Sequence, residues 1–269
     1  MQLIDSHSHI DFSEFNDDRV LALERAKKKG VSDIIVSATT ANRWVLIKNL
    51  CDSQIACHAA YGLHPMFMSE FKPQQLDSLK KWVEKEKPIA IGEIGLDYFI
   101  DEANGENSTQ NRQYQLDIFI AQLEIANEYR LPVIIHARKS LDIVLKYIRQ
   151  FSNLRGSIHS FSGSQQQANQ LIDLGFYLGF GGPITYTRAT KLRDLVTTLP
   201  LESLLLETDS PDQPDALHYN ERNEPAYLIQ VAKVVAELRD ISIEEVAQTT
   251  STNAQNLFNF QNSSYSNNN

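Results

Sequence analysis

Cysteine is nearly missing from this chain: of 269 residues only Cys51 and Cys57 carry a thiol, in no metal-binding or redox spacing. That excludes a disulfide-stapled scaffold and a thiolate metal site, and leaves two packing residues suited to a reducing cytosol. Long apolar runs are absent as well. No window approaches the roughly 20 residues that span a bilayer, and the first residues lack the basic flank and apolar segment of a secretory signal. A cytoplasmic protein without membrane contact is the expectation. Positive charge is in deficit, with 25 Lys and Arg against 34 Asp and Glu and a formal net charge of −9. Wholesale wrapping of nucleic acid over a basic face is thereby excluded, but a local cationic pocket is not. There is no fixed-period repeat and no Gly- or Ser-rich linker. The chain therefore reads as one domain over 1–260, followed by a flexible polar tail, "QNSSYSNNN", over 261–269.

What is present is alternation. Short β-branched runs predict strands near Gln2–Ser6, Asp33–Ser37, Cys57–Tyr61, Ile89–Gly92, Val133–His136, Gly156–His159, Tyr177–Phe180 and Leu204–Glu207. Helical patterns separate them, near Asp17–Lys29, Ala41–Cys51, Pro73–Glu86, Gln110–Tyr129, Ser140–Gln150, Ser164–Leu174 and Arg188–Thr198, with two more near Pro225–Leu238 and Ile243–Phe258. Local signals set the ends. Gly30 follows the cationic turn "RAKKK", Asn223 reads as an N-cap before Pro225, and Ser242 with Glu245 forms a capping-box pattern. Eight strand-then-helix units in about 250 residues predict an α/β fold of the (β/α)8 TIM-barrel type. Two stretches, "DYFIDEANGENST" and "SPDQPDALHYNERNEP", read as mobile loops after the fourth and eighth strands.

Barrel enzymes place their chemistry where the strands end. Here the first strand ends in "HSH", offering His7 and His9. The third runs into "YGLHP", with His64, and the fourth into "GEIGLD", with Glu93. The fifth ends "VIIHAR", with His136 and Arg138. The sixth ends "SIHSFSG", with His159, and the eighth "LLETDSP", with Glu207 and Asp209. Five of the seven histidines fall at such ends; His58 and His218 do not. Imidazole nitrogens suit borderline divalent ions, and a carboxylate can bridge two of them. The ring therefore predicts one ion on His7, His9, Glu93 and Asp209 and a second on Glu93, His136 and His159, at the spacing of roughly 3.5–4 Å usual for hydrolytic pairs. Zinc, magnesium and manganese all remain open. In this reading Asp209 takes a proton from the metal-activated water, and Gly92 and Gly95 let the backbone approach a crowded centre. Taken singly, His136 and His159 also read as core histidines, and Glu93 as a partner of Arg138. Glu207 reads as a structural partner, Asp5 and Asp11 as supporting or turn residues, and His218 as solvated.

"DSHSHID", "YGLHP", "GEIGLDY", "VIIHARKS", "HSFSGS" and "ETDSP", in this order and spacing, resemble the TatD family of metal-dependent deoxyribonucleases from Leu3 to about Phe258. The resemblance implies an amidohydrolase-type barrel, a divalent metal centre on His7, His9, Glu93, His136, His159 and Asp209, and hydrolysis of DNA phosphodiesters, commonly from a 3′ end. It puts a substrate-contacting histidine at His64. The implied partner is DNA, single-stranded or at 3′ ends, with no obligate protein partner. Arg138 is a further candidate phosphate contact or else a surface ion-pair residue, with Arg188 and Arg222 behind it. Tyr98, Phe99 and Phe161 could stack on bases or merely pack. Two departures stand out. Ser160 occupies a position where many members have cysteine, and the loop after Asp209 carries Asp212 and Asp215 where many have apolar and basic residues. An acidic loop keeps a second substrate class open: an ester or amide, of a small molecule or an aminoacyl-tRNA, on the same centre. A non-catalytic metal-binding barrel is the third.

Overall fold

The computed structural model describes residues 1–54, 56–99 and 108–259. Eight strands follow one another around a sheet in sequence order: β1 (Leu3–Ser8), β2 (Val31–Ser37), β3 (Cys57–Tyr61), β4 (Ala90–Asp97), β5 (Val133–Arg138), β6 (Gly156–Ile158), β7 (Phe176–Phe180) and β8 (Leu204–Leu206). Every neighbouring pair is parallel. The helices among the described residues are α1 (Arg19–Lys28), α2 (Trp44–Ser53), α3 (Gln74–Glu86), α4 (Ser108–Tyr129), α5 (Leu141–Ile148), α6 (Gln165–Asp173), α7 (Thr190–Thr198), α8 (Leu228–Arg239) and α9 (Ile243–Phe258). This is the (β/α)8 barrel expected from the alternation.

The ring closes between β1 and β8 without a regular ladder. The Asp209 N–H donates to the His7 carbonyl at 3.0 Å, and the His9 N–H to that of Ser210 at 2.7 Å. The buried Asp5 carboxylate adds the Thr208 N–H at 2.9 Å and its hydroxyl at 2.6 Å. Below this seam the lumen is filled by one residue from each of several strands, among them Ile4, Ile35, Ala60, Ile134 and Leu205, capped by Ala254, Leu257 and Phe258 of α9. The outer core lies between strands and helices. The apolar stripe of α4, with Phe119, Leu123 and Ala126, is fully buried in it.

The boundaries differ from expectation where the site is built. β1 and β4 run past their expected ends, so His7 and Glu93 lie inside strands. Glycine in "GEIGLD" suggests a strand end, because it weakens pleated structure. Here it does the reverse: Gly95 sits at φ +141, where a Cβ would come within 2.0 Å of the His136 carbonyl oxygen, so the glycine admits β5 rather than a metal. The register shift between Ile91 and Ile94 accommodates the approach. Asn223 is not an N-cap. Its amide donates to the carbonyls of Thr208 (2.7 Å) and Asp212 (2.8 Å), clamping the loop after β8, while α8 begins only at Leu228. That loop, expected to be mobile, is thus tied down. The Ser242 hydroxyl does accept the Glu245 N–H at 3.1 Å. The expected loop after β4 lies mostly outside the described residues, as does the tail.

Candidate metal centre

The strand ends bring His9, Glu93, His136, His159 and Asp209 to the wall of one cavity of about 550 Å³, with His7 fully buried in contact with them. The His7 and His9 Nε2 atoms are 3.3 Å apart, although the rings meet edge to face. Each lies 3.2 Å from Glu93 Oε2, and they stand 3.4 and 3.6 Å from Asp209 Oδ1. The other Glu93 oxygen, Oε1, faces a second group: His136 Nδ1 at 3.1 Å and His159 Nε2 at 2.9 Å, themselves 3.0 Å apart. One carboxylate therefore divides its oxygens between two clusters of donors.

Hydrogen bonds to the far ring nitrogens fix which lone pairs face inward. His9 Nδ1 lies 2.9 Å from the Ser37 carbonyl oxygen, which can only accept, so in the neutral ring Nε2 carries the lone pair. His136 Nε2 lies 3.0 Å from the Asp97 carboxylate, so its Nδ1 does. His7 Nδ1 meets the Ser37 hydroxyl at 3.1 Å. The result is a buried pocket of acceptors pointing at acceptors, and Glu93 Oε2, although enclosed, has no hydrogen-bond partner. Four donors placed tetrahedrally about 2.0–2.1 Å from an ion stand about 3.3 Å from one another. The spacings of 3.2–3.3 Å among His7, His9 and Glu93 match that figure, so these three donors fit a divalent cation, with Asp209 Oδ1 at 3.4–3.6 Å from the two imidazoles.

Electrostatics agree. Burial alone would lower the imidazole pKa of His9, but the Glu93 carboxylate overrides it and raises the value to about 9. His7, His136 and His159 are pulled upward in the same way against burial. Burial would raise Glu93 and Asp209, yet the surrounding imidazoles hold both carboxylates well below the usual range. The pocket thus draws in positive charge, here as protons.

His64 stands apart from these. Its Nδ1 accepts the Met66 N–H at 3.0 Å, so its Nε2 carries the proton and donates to Glu93 Oε1 at 2.8 Å. Burial pushes its pKa down to about 4. It is a neutral donor at the cavity wall, close enough to Glu93 and His136 to stand with them around an ion but with its Nε2 lone pair protonated. Arg138 is exposed on the same rim, its guanidinium 3.7 Å from the Phe99 ring centroid.

Other expectations fall away. Arg222 is spent on Asp18, at 2.7 and 2.9 Å, and lies off the cavity; Arg188 covers the Tyr186 ring. Phe161 lines the cavity but is buried against Phe180, and Tyr98 is buried under Arg112; of the three aromatics Phe99 alone is exposed. His218 is not solvated: it stacks on Tyr227 at 3.5 Å and bonds Asp215. Glu207 is the structural partner it reads as, accepting the Ser160 N–H at 2.5 Å and standing 3.7 Å from His159 Nδ1. The supporting residues Ser37, Asp97 and Gln213 were not singled out from the sequence, although Ser37 closes its strand as expected. Asp97 had a signal, since Glu93, Gly95 and Asp97 alternate on one face of a strand longer than expected. Gln213, which donates to Asp209 Oδ2 from within the β8 loop, had none.

Comparison with known proteins places this geometry. The model of the family described as TatD related DNase matches residues 4–259. The uncharacterized metal-dependent hydrolase YjjV of Escherichia coli K12 is 40% identical over 261 residues, covering 96% of this chain and 98% of its own. YabD of Bacillus subtilis 168, also an uncharacterized metal-dependent hydrolase, is 33% identical over 95% of this chain and 98% of its own. The crystal structure of the E. coli TatD homolog YjjV superposes with a TM-score of 0.89 at 38% identity, covering 96% of this chain and 98% of that one. The chain belongs to the TatD-related DNase family.

Proposed function

We propose that the bond cleaved by this metal-dependent hydrolase is a phosphodiester of DNA, in a single strand or at a 3′ end. The observation that carries the reading is the pairing of a divided carboxylate, Glu93, with two donor clusters beneath a rim that offers His64 and Arg138. His7, His9, Glu93 and Asp209 would hold one divalent ion, and Glu93, His136 and His159 a second, of zinc, magnesium or manganese. Such ions, when bound, supply Lewis acidity at the phosphoryl oxygen and lower the pKa of water towards about 7.

The remaining work belongs to the chain. Asp209 is held ionised by its imidazole neighbours, and Gln213 donates to its second oxygen, Oδ2, which keeps the carboxylate oriented to accept a proton from the attacking water. His64 stays neutral, and its Nε2–H, held on Glu93 Oε1 at 2.8 Å, would turn to a non-bridging phosphate oxygen once an ion takes up that carboxylate oxygen. Arg138 brings a permanent cation to the rim. Phe12, Phe67 and Ile184 on the apolar wall exclude bulk water and strengthen these contacts. We place the protein in the cytosol, where Cys51 and Cys57, both free thiols, would stay reduced.

A second reading has its own observation. Asp212 lines the cavity, and burial beside Asp209 raises its carboxyl pKa. An acid there disfavours a polyanion and suits a small ester or amide, or the ester of an aminoacyl-tRNA. The test is metal analysis of the purified protein, then a panel of bis-p-nitrophenyl phosphate, end-labelled single-stranded DNA and p-nitrophenyl esters, with and without chelator. Chelator-sensitive cleavage of the first two is expected. Activity on esters alone would replace the phosphodiester reading with the second.

A further inference from the structure

Three residues at one side of the cavity hold a backbone conformation that non-glycine residues seldom adopt: Ser160, Asp209 and Gln213, with φ of +45, +56 and +51. They come from two loops, after β6 and after β8, and one run of hydrogen bonds joins them. The Gln213 side-chain nitrogen donates to Asp209 Oδ2 and to Ser160 Oγ, the latter at 2.7 Å. An ionised carboxylate can only accept, so the amide nitrogen and not its oxygen must face Asp209, and both amide hydrogens are then committed. Ser160 Oγ, already accepting, has its own proton left for Glu207 Oε1 at 3.3 Å, while the Ser160 N–H anchors to the same oxygen at 2.5 Å. The direction of each hydrogen bond from Glu207 to Asp209 is thereby set. The Gln213 backbone is seated as closely. A Cβ on Gly182 would come within 2.1 Å of its carbonyl oxygen, so the turn after β7 lies hard against it. At the other end, Asp209 Oδ1 faces His7 and His9, at 3.4 and 3.6 Å.

We propose that Ser160 and Gln213 are positioning residues, a two-link brace that ties down Asp209 Oδ2 and so presents Oδ1 alone to the first donor cluster. The proposal rests on Asp209 being a donor of that cluster, whichever bond the protein cleaves, and adds what decides which oxygen faces inward. The terminal torsion of an aspartate is broad and nearly two-fold. Without the brace the Asp209 carboxylate would be free to turn both oxygens, or neither, towards the imidazoles. A neutral amide suits the task, because a lysine or arginine there would orient the carboxylate but offset the negative charge that draws in a cation. Ser160 acts one link further out: it holds Gln213 and touches neither Asp209 oxygen.

The experiment measures the affinity of the full chain for zinc and for manganese, by competition with a fluorescent chelator. It compares wild type with Gln213→Met, Ser160→Ala, the two combined, and Asp209→Ala. Gln213→Met keeps the length of the side chain and removes both donors. Gln213→Asn, a residue that tolerates positive φ but is one carbon too short to span both partners, cuts the same link a second way. Circular dichroism and the urea midpoint of the metal-free protein establish that each variant is folded. Each single change at 160 or 213 is expected to weaken binding about tenfold. The combined variant is expected to bind no more weakly than Gln213→Met, because both changes cut one chain. With the ion saturating, kcat on any substrate the protein cleaves falls while KM holds. Wild-type affinity in both Gln213 variants would overturn the brace, as would losses that simply add in the combined variant. A raised KM at unchanged kcat and affinity would make Gln213 a substrate contact instead. If Asp209→Ala binds like wild type, or the wild type takes up neither ion, the donor assignment itself falls, a failure distinct from that of the brace.

Discussion

Glu93 is the residue on which both donor clusters depend, one oxygen facing His7 and His9 and the other His136 and His159. Glu93→Ala is therefore expected to cost at least about 100-fold in turnover, with an unchanged circular dichroism spectrum. Full activity in the variant would remove the bridging role. Asp97 acts one contact further out, through the ring nitrogen of His136 that points away from the cluster. Asp97→Asn keeps the shape and removes the charge, so metal affinity is expected to fall about 10- to 100-fold, read by competition with a fluorescent chelator. His64 supplies a test of sign. Its folded pKa, lowered by burial to about 4, leaves the ring neutral over the working range. The His64→Asn variant is expected to lose kcat/KM without losing any inflection of its pH profile between about pH 5 and 8. All six donor residues were legible from the sequence because strands deliver side chains to one rim. Ser37 was not, since its contact to His9 uses a backbone carbonyl that any residue would offer.

Among the elements, β4 is the most constrained. It must carry Glu93 into the lumen and still lie against β5, and Gly95 makes both possible. Gly95→Ala sets a methyl group 2.0 Å from a backbone oxygen at a φ that alanine avoids. A loss of more than about 3 kcal/mol is expected from the urea midpoint, because neither strand can retreat without moving a donor residue. The helix–loop contact between α1 and the β8 loop answers to acid. Hydrogen bonds from Arg222 and Arg25 hold the Asp18 carboxyl well below the usual range. A depressed folded value means that this contribution is present above the unfolded value of about 3.9 and is lost as pH falls through the folded one. Asp18→Asn should melt below wild type near neutrality, by about 1 kcal/mol or less, and the gap should begin to narrow below about pH 4 and vanish only beneath the depressed folded value. Most element types followed from periodicity and caps, but their ends did not. "GEIGLD" reads as a break because glycine weakens a strand, and what reverses that reading is a neighbour 41 residues on, His136, which no local pattern contains.

For the whole molecule, the fold was legible because a closed barrel is the economical way to bury eight alternating strands. The metal centre couples the parts. An ion bound only by the folded state stabilises it by about 2.7 kcal/mol when present at 100 times its dissociation constant. Chelation should lower the melting midpoint by several degrees at about 2–4 °C per kcal/mol, and Glu93→Ala should show no such drop.

The seam between β1 and β8 has a consequence for how the protein is made. His7 and His9 leave the ribosome early, but Asp209 and the Thr208 contacts that anchor Asp5 are emplaced some two hundred residues later, with α9 sealing the floor last. From Glu93 onward a nascent chain therefore carries three of the four donors of the first set without being able to close it. Cation capture, and with it any hydrolytic competence, is deferred until the polypeptide has come full circle.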